Sequence, residues 1–208
     1  MTALLDVIIS AIFGATLLLI ILTANDTAME NSAMTFGDRY VQEALLSITQ
    51  LVEGDYRNMG FGVPDSMDVI LQADSTEVSF RVDLPDQNGV FGTVDTLSYR
   101  MGFTDELLDT PNPWDCNIYR RVGNQPEHVV GVVTFFHMNF LDKNYRELTH
   151  PVPDSLLKNV RFVELSIEVQ NQNALFKQQG TYTQGEVEAL HSRILWKQTR
   201  LALENLDR

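Results

Sequence analysis

The chain has 208 residues, of which 28 are acidic and 15 are basic, so its formal net charge at pH 7 is −13. This balance argues against direct binding of nucleic acids or anionic lipids, since both require a basic surface that neutralises phosphates. The lone cysteine, Cys116, has no partner for a disulfide within the chain. We therefore expect packing alone to stabilise the fold and Cys116 to be a small buried apolar residue.

The first predicted element is an apolar helix. Residues 7–24 are eighteen consecutive uncharged residues, and as a helix they would span about 27 Å, close to the thickness of a bilayer core. The alternatives are a cleaved signal peptide and a buried core helix. A signal peptide carries basic residues before its apolar region, whereas the first basic residue here is Arg39. We predict a membrane anchor or assembly helix over residues 1–24.

Residues 25–59 are predicted to continue the helix as an amphipathic segment. Apolar residues recur at three- and four-residue spacing from Tyr40 onwards, which indicates a helix that lays one face on a core. The polar residues 25–32 and Gly37 weaken the pattern, so we expect a bend or a melted stretch there. Two glycines and a proline in residues 60–64 predict the end of the helix.

Residues 60–208 are predicted to form one antiparallel β domain, because the apolar period changes from helical to alternating after Pro64. Residues 78–84 alternate and are followed by turn residues 85–89 and a second alternating segment with Leu97 and Tyr99, a pattern typical of a hairpin. Further strands are predicted at residues 69–73, 117–121, 129–140 and 160–169, the last with Val163, Leu165, Ile167 and Val169 on one face.

The last third of the chain leaves alternatives open. Residues 170–184 are rich in Gln, Asn and Gly and are predicted to form a mobile loop. Residues 186–208 fit a helix or a helix that ends in a strand. The predicted fold class is α+β, with a long N-terminal helix packed on an antiparallel β-sheet domain.

No enzyme active site, cofactor site or metal site is predicted. The histidines lack metal-ligand spacing and are expected on the surface or on strand faces: His128, His137, His150 and His191. Oxygen ligands around a glycine suggest a partial calcium loop at Asp83, Asp86, Asn88 and Asp95. The closing Glu of such a loop is missing, so a plain hairpin turn is favoured.

Most of six aromatic residues are expected in the core, although they could also line a surface for glycans or peptides: Trp114, Phe135, Phe136, Phe140, Tyr145 and Trp196. Phe135 and Phe136 are consecutive, and neighbouring strand residues face opposite sides of a sheet. One of the two should therefore be exposed or covered by another subunit, which makes Phe135 and Phe136 a candidate partner surface.

Five short motifs, in order, resemble those of type IV pilin-like proteins, in particular PilW-type minor pilins and pseudopilin J of type II secretion. They are Leu4-Leu5-Asp6-Val7-Ile8-Ile9-Ser10; Asp55-Tyr56-Arg57-Asn58-Met59-Gly60-Phe61-Gly62; Ile70-Leu71-Gln72-Ala73-Asp74-Ser75 leading into Val78-Ser79-Phe80-Arg81-Val82-Asp83; Ile118-Tyr119-Arg120-Arg121; and Val129-Val130-Gly131-Val132. The resemblance implies a pilin-like fold, single-pass insertion in the inner membrane and an exported C-terminal domain. It also implies partners: other pilin-like subunits, the inner-membrane assembly platform and membrane lipid.

The resemblance also implies roles for residues at the N-terminus. A prepilin peptidase cuts before the apolar helix in that family, which places processing at Met1 and Thr2. The acidic residue that follows pairs with the amine of a neighbouring subunit during assembly, and Asp6 matches it, where the family usually has Glu. A carboxylate in hydrocarbon is costly unless it meets an opposite charge, so Asp6 would set the register. The alternatives are insertion without processing and an Asp6 that lies in water at the membrane surface.

Two functions are therefore expected as alternatives. The first is a structural, non-enzymatic subunit, a minor pilin or pseudopilin, that joins a helical filament by packing its N-terminal helix. The second is a monomeric membrane-anchored module whose β domain captures a ligand. An exported enzyme is the least favoured class, since no constellation of catalytic residues is found.

Overall fold

One long helix is followed by a β-rich domain in the computed structural model of the protein, which describes residues 2–85, 89–107, 110, 112–170 and 194–206. The helix, α1, runs from Thr2 to Arg57, and a short helix α2 spans Asp154–Leu157. The strands are β1 (Ile70–Ala73), β2 (Glu77–Asp83), β3 (Val94–Met101), β4 (Cys116–Val122), β5 (His128–Val133), β6 (Phe135–Leu141), β7 (Phe162–Gln170) and β8 (Ile194–Ala202). The α+β class predicted from the sequence is confirmed.

Helix α1 is continuous where a melted stretch was expected. Residues 25–37 are helical throughout, and Gly37 is buried. Polar side chains in this stretch bond within the helix, as Thr27 Oγ1 donates to the Thr23 carbonyl (2.9 Å) and Thr35 Oγ1 to the Asn31 carbonyl (2.8 Å). The expected melted stretch is absent from residues 25–37, because one glycine costs only about 1 kcal/mol, which a long cooperative helix absorbs. The alternative of a bend stays a prediction.

The helix ends two residues before the predicted boundary at residue 59. Gly60 and Gly62 have φ values of 80° and 68°, a conformation that favours glycine. A Cβ at Gly62 would lie 2.4 Å from Cβ of Asp83. The turn therefore brings the chain tightly against β2. The Gly60 amide donates to the Arg81 carbonyl, and the Asp83 amide donates to the Phe61 carbonyl.

The strands form two antiparallel sheets, a five-stranded one in the order β1-β2-β3-β4-β5 and a three-stranded one in the order β6-β7-β8. The single strand predicted over residues 129–140 is wrong, because β5 and β6 belong to different sheets. Between them, the Thr134 amide donates to the Glu168 carbonyl of β7 (2.9 Å), so the chain leaves β4 and joins β7. The predicted hairpin is confirmed as β2 and β3, with Phe80 opposite Leu97.

The core lies where one face of α1 meets the sheets. Val41, Ile48, Val52 and Tyr56 of the helix are buried, and the helix contacts β5, β7 and β8. Gly131 of β5 permits a close approach, since a Cβ there would lie 2.5 Å from Cδ1 of Ile48. The predicted inward face of β7 is also confirmed, because Val163, Leu165, Ile167 and Val169 are all buried.

At the end of the chain, Ile194–Ala202 is a strand, so a helix over the whole of residues 186–208 is wrong. A 3-10 turn follows at Glu204–Leu206. Gln170 ends β7. The rest of the predicted loop over residues 170–184 lies outside the described residues.

Candidate assembly and binding surfaces

The first candidate surface is the apolar half of α1, which extends away from the β domain. Side chains of residues 6–33 are exposed, a length of about 42 Å at 1.5 Å per residue. They include large apolar side chains from Val7 to Leu22. Within the described part of the chain, α1 is the one helix long and apolar enough to cross a membrane.

Asp6 lies at the start of this surface, and its side chain is exposed. Its carbonyl accepts a hydrogen bond from Ser10 Oγ (2.8 Å) within the helix. Thr2 is the first helical residue, whereas Met1 lies outside the described residues. The roles of Asp6 in register and of Met1 and Thr2 in processing remain predictions.

The second feature is a buried polar junction that fixes α1 to the five-stranded sheet. Asp55 is 8% exposed and accepts hydrogen bonds from Arg120 Nε (2.7 Å), from Arg120 Nη2 (3.3 Å) and from the Tyr99 hydroxyl. Burial, together with the Asp55 carboxylate, raises the pKa of Tyr99, so Tyr99 stays protonated and donates. Burial lowers the pKa of Arg120, but its hydrogen bond to Asp55 and the charge of Asp55 outweigh burial and raise it.

Two further contacts hold the same helix face. The buried Tyr56 hydroxyl donates to Sδ of Met138 in β6 (2.7 Å), and burial raises the pKa of Tyr56. Lys197 Nζ of β8 lies 2.9 Å from a carboxylate oxygen of Glu53. The second half of α1 is therefore bound to both sheets, and the apolar half is a direct continuation of that anchored segment.

This junction was not predicted from the sequence. Asp55 follows Val52 and precedes Tyr56 and Met59, all three of them buried. A charged residue at this helical position must be paired, which was the available signal. The partner, Arg120, is 65 residues away in sequence, and the sequence does not reveal that separation.

The third candidate surface is the outer face of the three-stranded sheet, which we call the aromatic face. It consists of Phe135, His137 and Asn139 of β6, Phe162, Glu164, Ser166 and Glu168 of β7, Trp196, Gln198 and Arg200 of β8, and Tyr145 from the loop after β6. Phe135 is exposed and Phe136 is buried, as strand alternation predicted for this pair.

The expectation that most of six aromatic residues lie in the core is wrong. Phe136 and Phe140 are buried, but Trp114, Phe135, Tyr145 and Trp196 are exposed. Periodicity could not place Trp196 or Tyr145, because their segments were not assigned. Three of the four exposed rings, those of Phe135, Tyr145 and Trp196, belong to the aromatic face.

The remaining candidate sites are the suggested calcium loop and Cys116. Among the described residues, no group of three or more His, Cys, Asp or Glu side chains could hold a metal ion. In the suggested calcium loop, the Asp83 carboxylate accepts from the Gly92 amide (2.9 Å), and Asp86 and Asn88 lie outside the described residues. Cys116 is buried as predicted, and burial raises the pKa of its thiol.

Comparison of the chain with protein-family models, curated proteins and solved structures finds no significant match to any of them.

Proposed function

We propose that the protein is a structural subunit of a type IV pilus-like or type II secretion-like filament, in the manner of a minor pilin or pseudopilin. The observation that carries this proposal is the uninterrupted helix α1, whose first half is apolar and exposed while its second half is built into the core of a β domain. The ordered motifs of the sequence support the same assignment and the pilin-like fold that it implies.

The exposed apolar half needs a nonaqueous environment. Its side chains from Val7 to Leu22 would be costly in water. Before assembly, a bilayer would surround these side chains, so that the helix is a single-pass anchor in the inner membrane. The β domain would then be exported to the periplasm or cell surface. Neighbouring helices can then replace the lipid, since close packing between helices is favourable in hydrocarbon.

Asp6 would set the register at which neighbouring helices pack when they replace the lipid. A carboxylate at the edge of hydrocarbon is stabilised by an opposite charge, such as the amine of an adjacent subunit. Each subunit would then bind the next through two different surfaces. Such heterologous contacts build an open filament when the rotation and translation that relate neighbouring subunits do not close into a ring. Because the polar junction and the Glu53–Lys197 pair fix α1 to both sheets, the domain would be carried on the outside in one orientation.

The proposal is tested by shearing surface filaments from native cells that produce the wild-type chain, Asp6→Ala, Asp6→Glu or Asp26→Ala. Asp26 is an exposed acidic residue of the same helix outside the apolar segment, which makes its variant a matched control. We expect the wild type, Asp6→Glu and Asp26→Ala in the sheared fraction, and Asp6→Ala only in the membrane. N-terminal sequencing of the sheared form checks processing at Met1 and Thr2.

A second candidate function is a membrane-tethered binding module, which the exposed rings of the aromatic face favour. In this case, the wild-type chain and Asp6→Ala would both be recovered only as membrane-bound monomers. Recovery of Asp6→Ala in filaments at the wild-type level would retain the filament but reject the role of Asp6.

A further inference from the structure

The aromatic face exposes large rings on one side of the three-stranded sheet. Trp196 is 64% exposed and Phe135 is 42% exposed, and exposed apolar groups on one face often mark a binding site. Both rings flank Glu168, because Phe135 pairs with Glu168 and Glu168 pairs with Trp196. Two strand spacings separate them, or about 10 Å.

A second aromatic pair lies at the other end of the same face. Tyr145 stacks on Phe162 with ring centroids 4.5 Å apart, and the Arg200 guanidinium lies 5.7 Å from the Tyr145 ring. Phe162 is six residues from Glu168 along β7, which places the two aromatic pairs about 20 Å apart. Tyr145 has a φ of 60°, and a bulky residue keeps that conformation only when its surroundings impose it.

The loop that carries Tyr145 is fixed by Asp142. One carboxylate oxygen of Asp142 accepts from the amides of Asn144 (2.7 Å) and Arg146 (3.0 Å). Hydrogen bonding to the backbone of Arg146 lowers the pKa of Asp142, so these bonds persist at neutral pH. The Tyr145 ring is thereby held in place over the sheet.

Polar groups occupy the centre of the face between the two aromatic pairs. Glu164 accepts from Gln198 Nε2 (3.0 Å) and Arg200 Nη2 (3.3 Å). Nε2 of His137 and Oδ1 of Asn139 are 2.8 Å apart. The face thus offers stacking surfaces about 20 Å apart, with hydrogen-bond donors and acceptors between them.

The dimensions and charge of the face select among ligand classes. Three strands of up to nine residues give a face about 14 Å wide and about 30 Å long, a narrow shape that fits a linear chain lying along the strands. Small metabolites prefer concave pockets, and cavities of about 520 and 310 Å³ lie elsewhere, beside α2 and between α1 and β5. Glu164, Glu168 and the net charge of −13 oppose nucleic acids and other polyanions.

We propose that the aromatic face binds a neutral oligosaccharide lengthwise, with sugar rings stacked on Trp196 and Tyr145. The apolar C–H face of a sugar ring matches an exposed aromatic ring, and its hydroxyls match the central carboxylate, amide and guanidinium groups. Sheet faces of other antiparallel β folds also bind oligosaccharides. This inference is independent of whether the chain assembles into filaments or acts alone.

The test uses the full chain in phosphatidylcholine nanodiscs, which avoids sugar detergents. Maltohexaose, cellohexaose and hexa-N-acetylchitohexaose are titrated while tryptophan fluorescence and calorimetric heat are recorded. We expect at least one of these probes to bind, and Trp196→Ala and Tyr145→Ala each to weaken that binding roughly tenfold or more, as loss of a stacking ring does elsewhere. Trp196→Phe should retain part of the affinity.

Trp114→Ala is the matched control, because Trp114 is 60% exposed but lies outside the aromatic face, and we expect it to bind like the wild type. Circular dichroism verifies that each variant is folded. The proposal is overturned if no neutral probe binds, if Trp114→Ala loses as much affinity as Trp196→Ala, or if a hyaluronan hexasaccharide binds in preference. A change of oligomeric state in Trp196→Ala without sugar binding would assign the face to a protein partner instead.

Discussion

Asp55 is the buried acidic residue through which the helix is joined to the five-stranded sheet. Its carboxylate is the acceptor for Arg120 and Tyr99, both on the five-stranded sheet, and it lies among the apolar side chains of the helix. Replacing such a pair by apolar residues can be neutral, but removing one partner leaves an uncompensated buried charge. The junction therefore constrains the orientation of α1 more than it adds to net stability.

We expect Asp55→Ala to lower the free energy of unfolding by about 3 kcal/mol, or the midpoint temperature by about 6–12 °C for a domain of this size. Thermal unfolding of the full chain in nanodiscs, followed by near-UV circular dichroism, measures the shift. Asp68→Ala is the control, because Asp68 pairs with Lys158 on the surface and exposed pairs contribute less than about 1 kcal/mol. Equal shifts in both variants would refute the buried role of Asp55.

Glu127, on the surface of the same sheet, should make the stability of the fold depend on pH. Its hydrogen bond to Arg100 (2.6 Å) lowers its pKa, so ionised Glu127 stabilises the fold above its ordinary pKa and loses this effect as the pH falls through the lowered value. We expect Glu127→Gln to be less stable than the wild type by at most about 1 kcal/mol at pH 7. The difference between the two midpoint temperatures should shrink as the pH falls below the ordinary pKa of a glutamate and should disappear below the lowered pKa of Glu127. A difference that stays constant with pH would contradict the assignment.

At the level of elements, the turn after α1 decides how the helix meets β2. Gly62 combines a φ of 68° with a close approach to Asp83, so two independent constraints exclude a side chain. Gly54 lies within the helix, and a Cβ there would have no neighbouring atom within 4 Å. The same substitution should therefore have opposite effects at the two positions.

We predict that Gly62→Ala destabilises the domain by roughly 2 kcal/mol or more, through backbone strain and the clash with Asp83. Gly54→Ala should stabilise it by up to about 1 kcal/mol, because alanine has the higher helix propensity. Urea unfolding of the two variants beside the wild type checks both signs. A stabilised Gly62→Ala would mean that the turn is not held against β2.

For the whole molecule, the helix has two separable parts. Residues 6–33 make an exposed rod, whereas Val41, Ile48, Val52 and Tyr56 belong to the hydrophobic core. The exposed apolar part is long and apolar enough to span a membrane, whereas the second half of the same helix belongs to the core of the β domain.

We expect a chain that lacks residues 1–33 to fold, with a midpoint temperature within about 2 °C of the full chain, since surface changes usually cost less than about 0.5 kcal/mol. A chain that lacks residues 1–58 should show no cooperative unfolding, because losing four buried side chains at about 2–5 kcal/mol each costs as much as a typical domain stability of about 5–15 kcal/mol. Size-exclusion chromatography and circular dichroism distinguish these outcomes. A folded second variant would show that the sheets do not need the helix.

The sequence by itself determined the elements whose signals are local. The apolar run, the amphipathic period of residues 40–59, the glycines after them and the alternation in β2, β3 and β7 each predicted the observed element within a few residues, because backbone propensity and burial of one face act over short distances. The same alternation established that Phe135 and Phe136 face opposite sides, although not which of them is buried.

Only the tertiary structure decided the rest. The pattern of residues 129–140 is typical of one strand. In the structure the strand is divided at Thr134, where the amide donates to the Glu168 carbonyl of β7. The Asp55–Arg120 pair joins residues distant in sequence, and Trp196 reaches the aromatic face through the register of β8 on β7. These features depend on contacts between segments far apart in the chain, which a periodic pattern within one segment does not encode.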